Sequence, residues 1–153
     1  MFRGIASLNL DAKGRLAVPA RYRDALQQQS DGQIVITINH EERCLWMYPL
    51  DIWEDIEEKV VKLPTFDPRS QRLKRLLIGH ATDCELDGSG RVLVPPPLRD
   101  YGELTKRVML VGQGNKFEIW DEALWNAQTE AALEHRTDRD ETPMPAELES
   151  LAL

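Results

Sequence analysis

A short phrase occurs twice in this chain, once near its start and once just past its middle. The first copy is LNLDAKGRLAVPARYRD, residues 8–24, and the second is CELDGSGRVLVPPPLRD, residues 84–100. Four pairs of matched positions are each 76 residues apart: Asp11 and Asp87, Gly14 and Gly90, Arg15 and Arg91, Pro19 and Pro95. A repeat of this length is too long for a solenoid unit, so it predicts a duplicated small domain.

Each copy has the pattern of two strands joined by a turn and followed by a helix. Two leucines alternate with polar residues before Asp11, and an apolar run follows Arg15. Between them, the Asp11 carboxylate can accept hydrogen bonds from nearby backbone N–H groups, and Gly14 can adopt a positive φ. We therefore predict a β-hairpin structured by this aspartate and glycine, followed by a helix that begins at the proline. The second hairpin is structured in the same way by Asp87 and Gly90.

The duplication extends beyond this phrase. Alternating apolar residues and later amphipathic stretches recur in both halves in the same order. Strands are predicted at 33–39, 44–48, 107–111 and 116–120, and helices at 49–63 and 121–135. We expect a first domain with a trailing helix at 1–63, a linker with a short basic helix at 64–80, a second domain with a trailing helix at 81–135, and an acidic flexible tail at 136–153.

Charge is distributed unevenly along the chain. The formal net charge of −7 argues against a nucleic-acid partner at first sight. Residues 1–76, however, hold 12 lysines and arginines against 11 acidic residues, whereas residues 77–153 hold 7 against 15. The first copy of the phrase and its flanks are locally basic, so the net charge of the whole chain does not exclude a DNA-binding surface there.

Motifs for catalysis, metal binding or membrane insertion are missing from the sequence. Cys44 and Cys84 form no C-x-x-C pair, and His40, His80 and His135 have no carboxylate or thiol at ligand spacing. No nucleophile elbow, Walker A or dinucleotide-binding pattern occurs. No stretch has the length and apolarity of a signal peptide or a membrane span. We therefore expect a cytoplasmic protein that is not an enzyme, with no cofactor, metal, membrane partner or small-molecule substrate.

Two known families resemble this chain. The pattern D-x-x-x-R followed by an apolar strand and a proline resembles the hairpin of SpoVT/AbrB-type DNA-binding domains. Two copies of it, with the opening Met-Phe-Arg-Gly and the central run Arg-Leu-Lys-Arg-Leu-Leu-Ile-Gly-His, resemble the MraZ family of bacterial transcription regulators. The resemblance covers residues 1–125.

The resemblance implies a specific architecture and function. The fold would be α+β, with two tandem swapped-hairpin AbrB-like β-barrel units that form a pseudo-dimer within one chain and carry flanking helices. The protein would bind double-stranded DNA sequence-specifically, at short direct repeats upstream of the division and cell-wall gene cluster. It would be associated with the nucleoid and would assemble into a ring-like homo-oligomer.

Arg15 and Arg91 are the first candidates for contact with DNA. A guanidinium group forks onto O6 and N7 of guanine or onto a phosphate, and the major groove admits a two-stranded ribbon. The same arginines can also close their turns by ion pairs with Asp11 and Asp87, which is the ordinary role of such pairs. Both roles can hold together, because the aspartate would orient the turn while the arginine points away from it.

Other basic residues surround these turns. Lys13 is suited to a phosphate contact, whereas its counterpart Ser89 carries no charge, so we expect the first hairpin to dominate electrostatically. Arg23 and Arg99 match each other across the copies, either as DNA contacts or as part of a solvated helix face. Arg3 precedes the first strand and adds to its positive charge.

Two further functions stay open at the level of sequence. In an antitoxin-like protein, the hairpins would bind an operator and the acidic tail would hold a toxin. In a scaffold that does not bind DNA, the aspartate–arginine pairs would be purely structural.

The tryptophans lie at strand and helix positions and are expected in the core rather than stacked on bases. These residues are Trp46, Trp53, Trp120 and Trp125.

Overall fold

The same order of elements appears twice along the chain. In the computed structural model, which describes residues 1–134 and 145–151, the first half contains β1 (Ile5–Asn9), β2 (Arg15–Ala17), α1 (Ala20–Ser30), β3 (Gln33–Ile38), β4 (Leu45–Pro49) and α2 (Leu50–Val61). Helix α3 (Pro68–Leu73) and a π-helical segment (Lys74–Ile78) lead to the second half. That half contains β5 (Thr82–Glu85), β6 (Arg91–Leu93), α4 (Pro96–Tyr101), β7 (Arg107–Gly112), β8 (Phe117–Asp121) and α5 (Glu122–Glu134), and α6 (Ala146–Glu149) follows it.

Within the two repeated halves, prolines set where three of the helices begin. Pro19, Pro49 and Pro95 are the N-cap residues of α1, α2 and α4, with φ values of −55°, −57° and −59°. The proline ring holds φ in this range, and its missing N–H would have had no helical partner at this position. The helices therefore begin one residue after the prolines, rather than at them as the sequence predicted.

Six of the eight strands in the described residues form one large antiparallel sheet that both halves share. Its strand order is β1-β7-β8-β4-β3-β5, so each edge strand pairs with a strand of the other half. Ile5 lies opposite Val111 in the pair β1–β7, and Gln33 lies opposite Glu85 in the pair β3–β5. The sheet is open, with β1 and β5 at its edges, and the closed barrels expected from the resemblance are not formed by these strand pairs.

The remaining two strands, β2 and β6, form a separate two-stranded ribbon. Leu16 on β2 lies opposite Val92 on β6. The sequence predicted that β1 and β2 would pair as one hairpin, and likewise β5 and β6. This was wrong: the turn is closed by a hydrogen bond from the Asp11 N–H to the Arg15 carbonyl oxygen (3.0 Å), but beyond it the strands diverge. The reason is that β1 completes the large sheet, while β2 buries its apolar side chain beneath it.

The main hydrophobic core lies between this ribbon and the large sheet. Leu16 and Val92 are each 1% exposed. They belong to one cluster with Leu26 of α1, Ile36 of β3 and Ile119 of β8. Burial of aliphatic side chains of this size contributes about 1.5–3 kcal/mol each. Because side chains alternate along a strand, fixing the inner residues of the ribbon also fixes the direction of its outer residues.

Helices cover the other face of the sheet. Trp53 of α2 and Leu77 of the π-helical segment pack with Val35 and Tyr48 of the sheet. The Thr37 hydroxyl donates a buried hydrogen bond of 2.6 Å to the Leu77 carbonyl oxygen. In the second half, α5 packs on the same face beside Trp120. The four tryptophans are buried or half-buried in these two clusters, which confirms the prediction that they serve the core.

The predicted acidic tail lies only in part within the described residues. Positions 135–144, 152 and 153 are outside them, and so is most of the segment 136–153 for which flexibility was predicted. Within the described part, Pro145 precedes α6, and Leu148 and Leu151 are exposed on it and just after it.

Candidate nucleic-acid interface

The first turn is organised by the carboxylate of Asp11. Its Oδ1 atom accepts hydrogen bonds from the backbone N–H groups of Lys13 (2.9 Å) and Arg15 (2.8 Å), and Oδ2 accepts one from Nε of Arg15 (2.8 Å). The hydrogen bond from the Arg15 backbone, with those from its side chain and from Lys13, holds the pKa of the Asp11 carboxyl below its usual value. Gly14 has φ of 84°, a conformation that favours glycine.

The second turn repeats this geometry almost atom for atom. Oδ1 of Asp87 accepts from the backbone N–H groups of Ser89 and Arg91, both at 2.9 Å, and Oδ2 accepts from Nε of Arg91 at 2.9 Å. The hydrogen bond from the Arg91 backbone is the main cause that lowers the pKa of the Asp87 carboxyl. Gly90 has φ of 73°. The chain therefore presents two turns of matching hydrogen-bond geometry, each with an arginine bound to an aspartate through Nε.

Both arginines lie on the outer side of the ribbon formed by β2 and β6. Arg15 lies opposite Leu93, and Arg91 lies opposite Ala17, so these four residues share the face away from the buried Leu16 and Val92. This makes Arg15 and Arg91 diagonal neighbours across the ribbon. Among the described residues, no oxygen accepts a hydrogen bond from the Nη atoms of either arginine, and their side chains are 27% and 36% exposed. The ends of both guanidinium groups can therefore bind a partner.

Arg23 and Arg99 lie against the turns, and each is on a helix of the opposite half. Arg23 of α1 donates through Nη1 to the Ser89 carbonyl oxygen at 3.3 Å. Arg99 of α4 donates through Nε to the Val94 carbonyl oxygen at 2.9 Å, and its guanidinium lies over Gly14. Both residues are half-buried. Their side chains therefore pack against the turns and also reach the surface.

The remaining candidates fall in different places. Lys13 is exposed on the first turn, at the position that Ser89 occupies on the second. Arg3 lies before β1, at the strand end remote from Asp11, where its carbonyl oxygen accepts a hydrogen bond from the Tyr22 hydroxyl. The structure thus groups Lys13 with Arg15 but does not bring Arg3 to the same turn.

One basic residue near the first turn was not predicted from the sequence. The carbonyl oxygen of Lys106 accepts a hydrogen bond of 2.8 Å from the N–H of Leu10, directly before Asp11. At the second turn the equivalent bond runs from Leu86 to Gly32, which has no charge. The exposed Lys106 therefore adds to the difference between the two turns. Only the register between β1 and β7 places it there, and no local sequence pattern indicates that register.

The described residues offer little to other kinds of site. They contain no group of three or more His, Cys, Asp or Glu side chains arranged to hold a metal ion, and His135 lies outside them. None of the helices in the described part of the chain combines the length and apolarity needed to cross a bilayer.

Fold and site together define a duplicated α+β protein whose halves share one sheet and carry two matched arginine turns on one ribbon. A family model described as "MraZ protein, putative antitoxin-like" matches the chain twice, over residues 1–76 and 77–144. A protein named Transcriptional regulator MraZ from Halorhodospira halophila (strain DSM 244 / SL1) is 56% identical over 153 residues, which cover the full length of both chains.

Proteins with the same name from two further organisms are equally similar. The one from Thioalkalivibrio sulfidiphilus (strain HL-EbGR7) is 55% identical over 154 residues, and the one from Pseudomonas syringae pv. syringae (strain B728a) is 56% identical over 153 residues. Both matches cover each chain completely. This chain belongs to the MraZ family, as the repeated phrase predicted.

Proposed function

We propose that this protein is a transcriptional regulator that binds double-stranded DNA sequence-specifically through its two arginine turns. The observation that carries the proposal is the pair Arg15 and Arg91 on the outer side of one ribbon, each oriented by an aspartate through Nε. An arginine held in this way has fewer conformations to lose on binding, and its Nη groups can donate to guanine or phosphate. The name carried by the relatives supports the same role.

The other basic residues have supporting parts in this proposal. Lys13 and Lys106 flank the first turn and would bind phosphates there. Arg23 and Arg99 would add positive charge behind the turns, and Arg3 would add charge near the start of β1. Phosphate contacts give affinity and register, whereas the two turn arginines would supply recognition of bases. The first turn would therefore bind more tightly than the second.

The wider organisation of the regulator is part of the same proposal. It comprises two SpoVT/AbrB-like domains at 1–63 and 81–135, whose exchanged strands make an internal pseudo-dimer, with the linker 64–80 and the tail 136–153. One ribbon offers only two turn arginines, so high affinity would require several protomers on successive sites. A ring-like homo-oligomer bound to direct repeats upstream of the division and cell-wall gene cluster meets that requirement. Nucleoid association follows from such binding.

Fluorescence anisotropy tests this proposal. The protein is titrated into labelled duplex from the region upstream of its own gene, and into a scrambled duplex of equal composition, at two salt concentrations. We expect salt-dependent binding that prefers the upstream duplex. Arg15→Ala and Arg91→Ala should each weaken it about tenfold, because a bidentate arginine contact discriminates by about 1–3 kcal/mol.

Arg69→Ala provides the matched control. Arg69 also pairs with an aspartate, at 3.0 Å from Asp67, but it is on α3 rather than the ribbon. The Arg69→Ala variant should keep the affinity for the upstream duplex within about twofold of the wild type. Equal affinity of the wild type and the Arg15→Ala/Arg91→Ala double variant would reject the turns as the DNA-binding surface. Absence of binding by the wild type would favour a scaffold that binds no DNA.

An antitoxin-like role is the second candidate, because the matching family model is described in those words. Leu148 and Leu151, both exposed, would offer apolar contacts to a toxin. Affinity capture from a cell lysate with the full chain and with a chain ending at residue 135 tests this role. Recovery of one stoichiometric protein by the full chain alone would support it, and identical recoveries would exclude the tail as the toxin-binding segment.

A further inference from the structure

We infer that Arg23 and Arg99 are positioning residues, each of which holds the DNA-reading turn of the opposite half. This inference rests on the proposed function. It differs from a direct DNA contact because each arginine would act through the other half's turn arginine: Arg23 through Arg91, and Arg99 through Arg15.

The contact of Arg23 with the second turn is mainly a packing contact. A Cβ atom built on Gly90 would overlap Cδ of Arg23, so the aliphatic part of this side chain fills the space where other residues have their Cβ. Its Nη1 reaches the Ser89 carbonyl oxygen at 3.3 Å. Its Nε is buried and has no hydrogen-bond partner among the described residues. A buried unpaired donor is unfavourable, so the packing on Gly90 and the bond to Ser89 together hold this side chain in place.

Arg99 makes the corresponding contact with the first turn. A Cβ atom on Gly14 would lie 2.5 Å from Cζ of Arg99. Nε of Arg99 donates to the carbonyl oxygen of Val94, and the N–H of Val94 donates to the carbonyl oxygen of Gly14 at 2.9 Å. At the second turn, the N–H of Val18 donates in the same way to the Gly90 carbonyl oxygen at 3.0 Å. Each turn glycine is therefore bound by the strand and the helix of the other half.

This arrangement gives Gly14 and Gly90 a second reason to be glycine. Positive φ alone is tolerated by asparagine or aspartate at moderate cost. A Cβ at either position, however, would displace the arginine that lies against it. The turn conformation and the crossing arginine therefore depend on each other, and each turn is held by a side chain from the opposite half.

Hydrogen exchange measured by mass spectrometry on the full-length free protein tests the positioning role without DNA. The amides of Ser89 and Arg91 are protected by Asp87, and those of Lys13 and Arg15 by Asp11. Arg23→Ala should accelerate exchange in peptides spanning 87–91 and leave 11–15 unchanged. Arg99→Ala should do the reverse. Local opening of this kind is what the exchange rate reports.

Double-variant cycles on DNA affinity provide the second readout. Arg23→Ala should weaken binding about tenfold in the wild type but less than about threefold in an Arg91→Ala background, because its effect passes through Arg91. In an Arg15→Ala background the full tenfold loss should persist. Arg23→Met, which keeps the aliphatic stem without the charge, should retain affinity within about threefold. Arg21→Ala, an equal loss of charge on the same helix, is the matched control.

The outcomes separate the possible failures. Equal losses for Arg23→Ala in both backgrounds, with Arg23→Met as weak as Arg23→Ala and a reduced salt dependence, would show a direct phosphate contact and overturn the positioning role. Unchanged exchange in the opposite turn would overturn it as well. Absence of DNA binding by the wild type would instead overturn the proposed function, whatever the exchange rates show.

Discussion

The carboxylate of Glu118 on β8 accepts a hydrogen bond from the indole Nε1–H of Trp46 on β4 at 3.2 Å. The same carboxylate accepts one from the indole of Trp120 at 3.1 Å and one from the side-chain amide of Asn39 at 3.5 Å. Glu118 is only 8% exposed. This buried carboxylate therefore joins strands of the two halves near the middle of the shared sheet, because β4 and β8 are its central pair.

Glu118→Ala should reduce the free energy of unfolding by about 2–3 kcal/mol, since it leaves several buried donors without an acceptor. Urea denaturation followed by tryptophan fluorescence, at fixed protein concentration, measures the change. Glu58→Ala is the control, because Glu58 forms only an exposed pair with Lys62 at 2.9 Å and should cost less than about 1 kcal/mol. Equal losses for the two variants would contradict a structural role for the buried carboxylate.

Leu16→Ala should lower the free energy of unfolding by about 2–5 kcal/mol, because it leaves a cavity between the ribbon and the sheet. Leu93→Ala, on the same ribbon but 50% exposed, should change it by about 0.5 kcal/mol or less. Urea denaturation at fixed protein concentration compares the two. A large loss for Leu93→Ala would show that the outer side of the ribbon is covered in the free protein.

Exchanging the charges of the turns should alter DNA affinity in opposite directions. Ser89→Lys gives the second turn the lysine that the first turn has in Lys13, and should strengthen binding and steepen its salt dependence. Lys13→Ser should weaken binding and flatten the dependence, by about 0.9 in the slope of log affinity against log salt for each phosphate contact. Anisotropy titrations over a salt series measure both. Identical slopes for wild type and Lys13→Ser would remove Lys13 from the phosphate contacts.

The order of both turns should depend on pH in the acid range. The folded pKa values of Asp11 and Asp87 are lowered, so these carboxylates stabilise the turns above the unfolded pKa of about 3.9 and lose this effect as pH falls through the folded values. Carbon-detected NMR titration of the carboxyl groups should place both midpoints below those of exposed aspartates. In the Asp87→Asn variant, the second turn should lose much of its pH dependence, and the first turn should keep its own. Ordinary midpoints for both groups would refute the hydrogen-bonded turn in solution.

Sequence reasoning reached the local features of this fold and missed the distant ones. Asp11 as the acceptor of its own turn, glycine at the positive φ position and a helix after Pro19 all follow from interactions within a few residues. The partner of β1 did not follow, because alternation indicates which face of a strand is buried but not which strand lies beside it. The positions of Lys106 and Arg99 depend on that pairing, so their proximity to the first turn required the structure.

The exchange of edge strands also determines when the chain can complete its fold. Ile5 pairs with Val111, so β1 is synthesised well before β7, its partner in the sheet. Until that partner is synthesised, the first half exposes an unpaired strand and the apolar side of β2. Pairings so distant in sequence are slow to form and leave edges open to association with other chains. Synthesis of this protein therefore includes an interval in which β1 is unpaired and open to pairing with a neighbouring nascent chain.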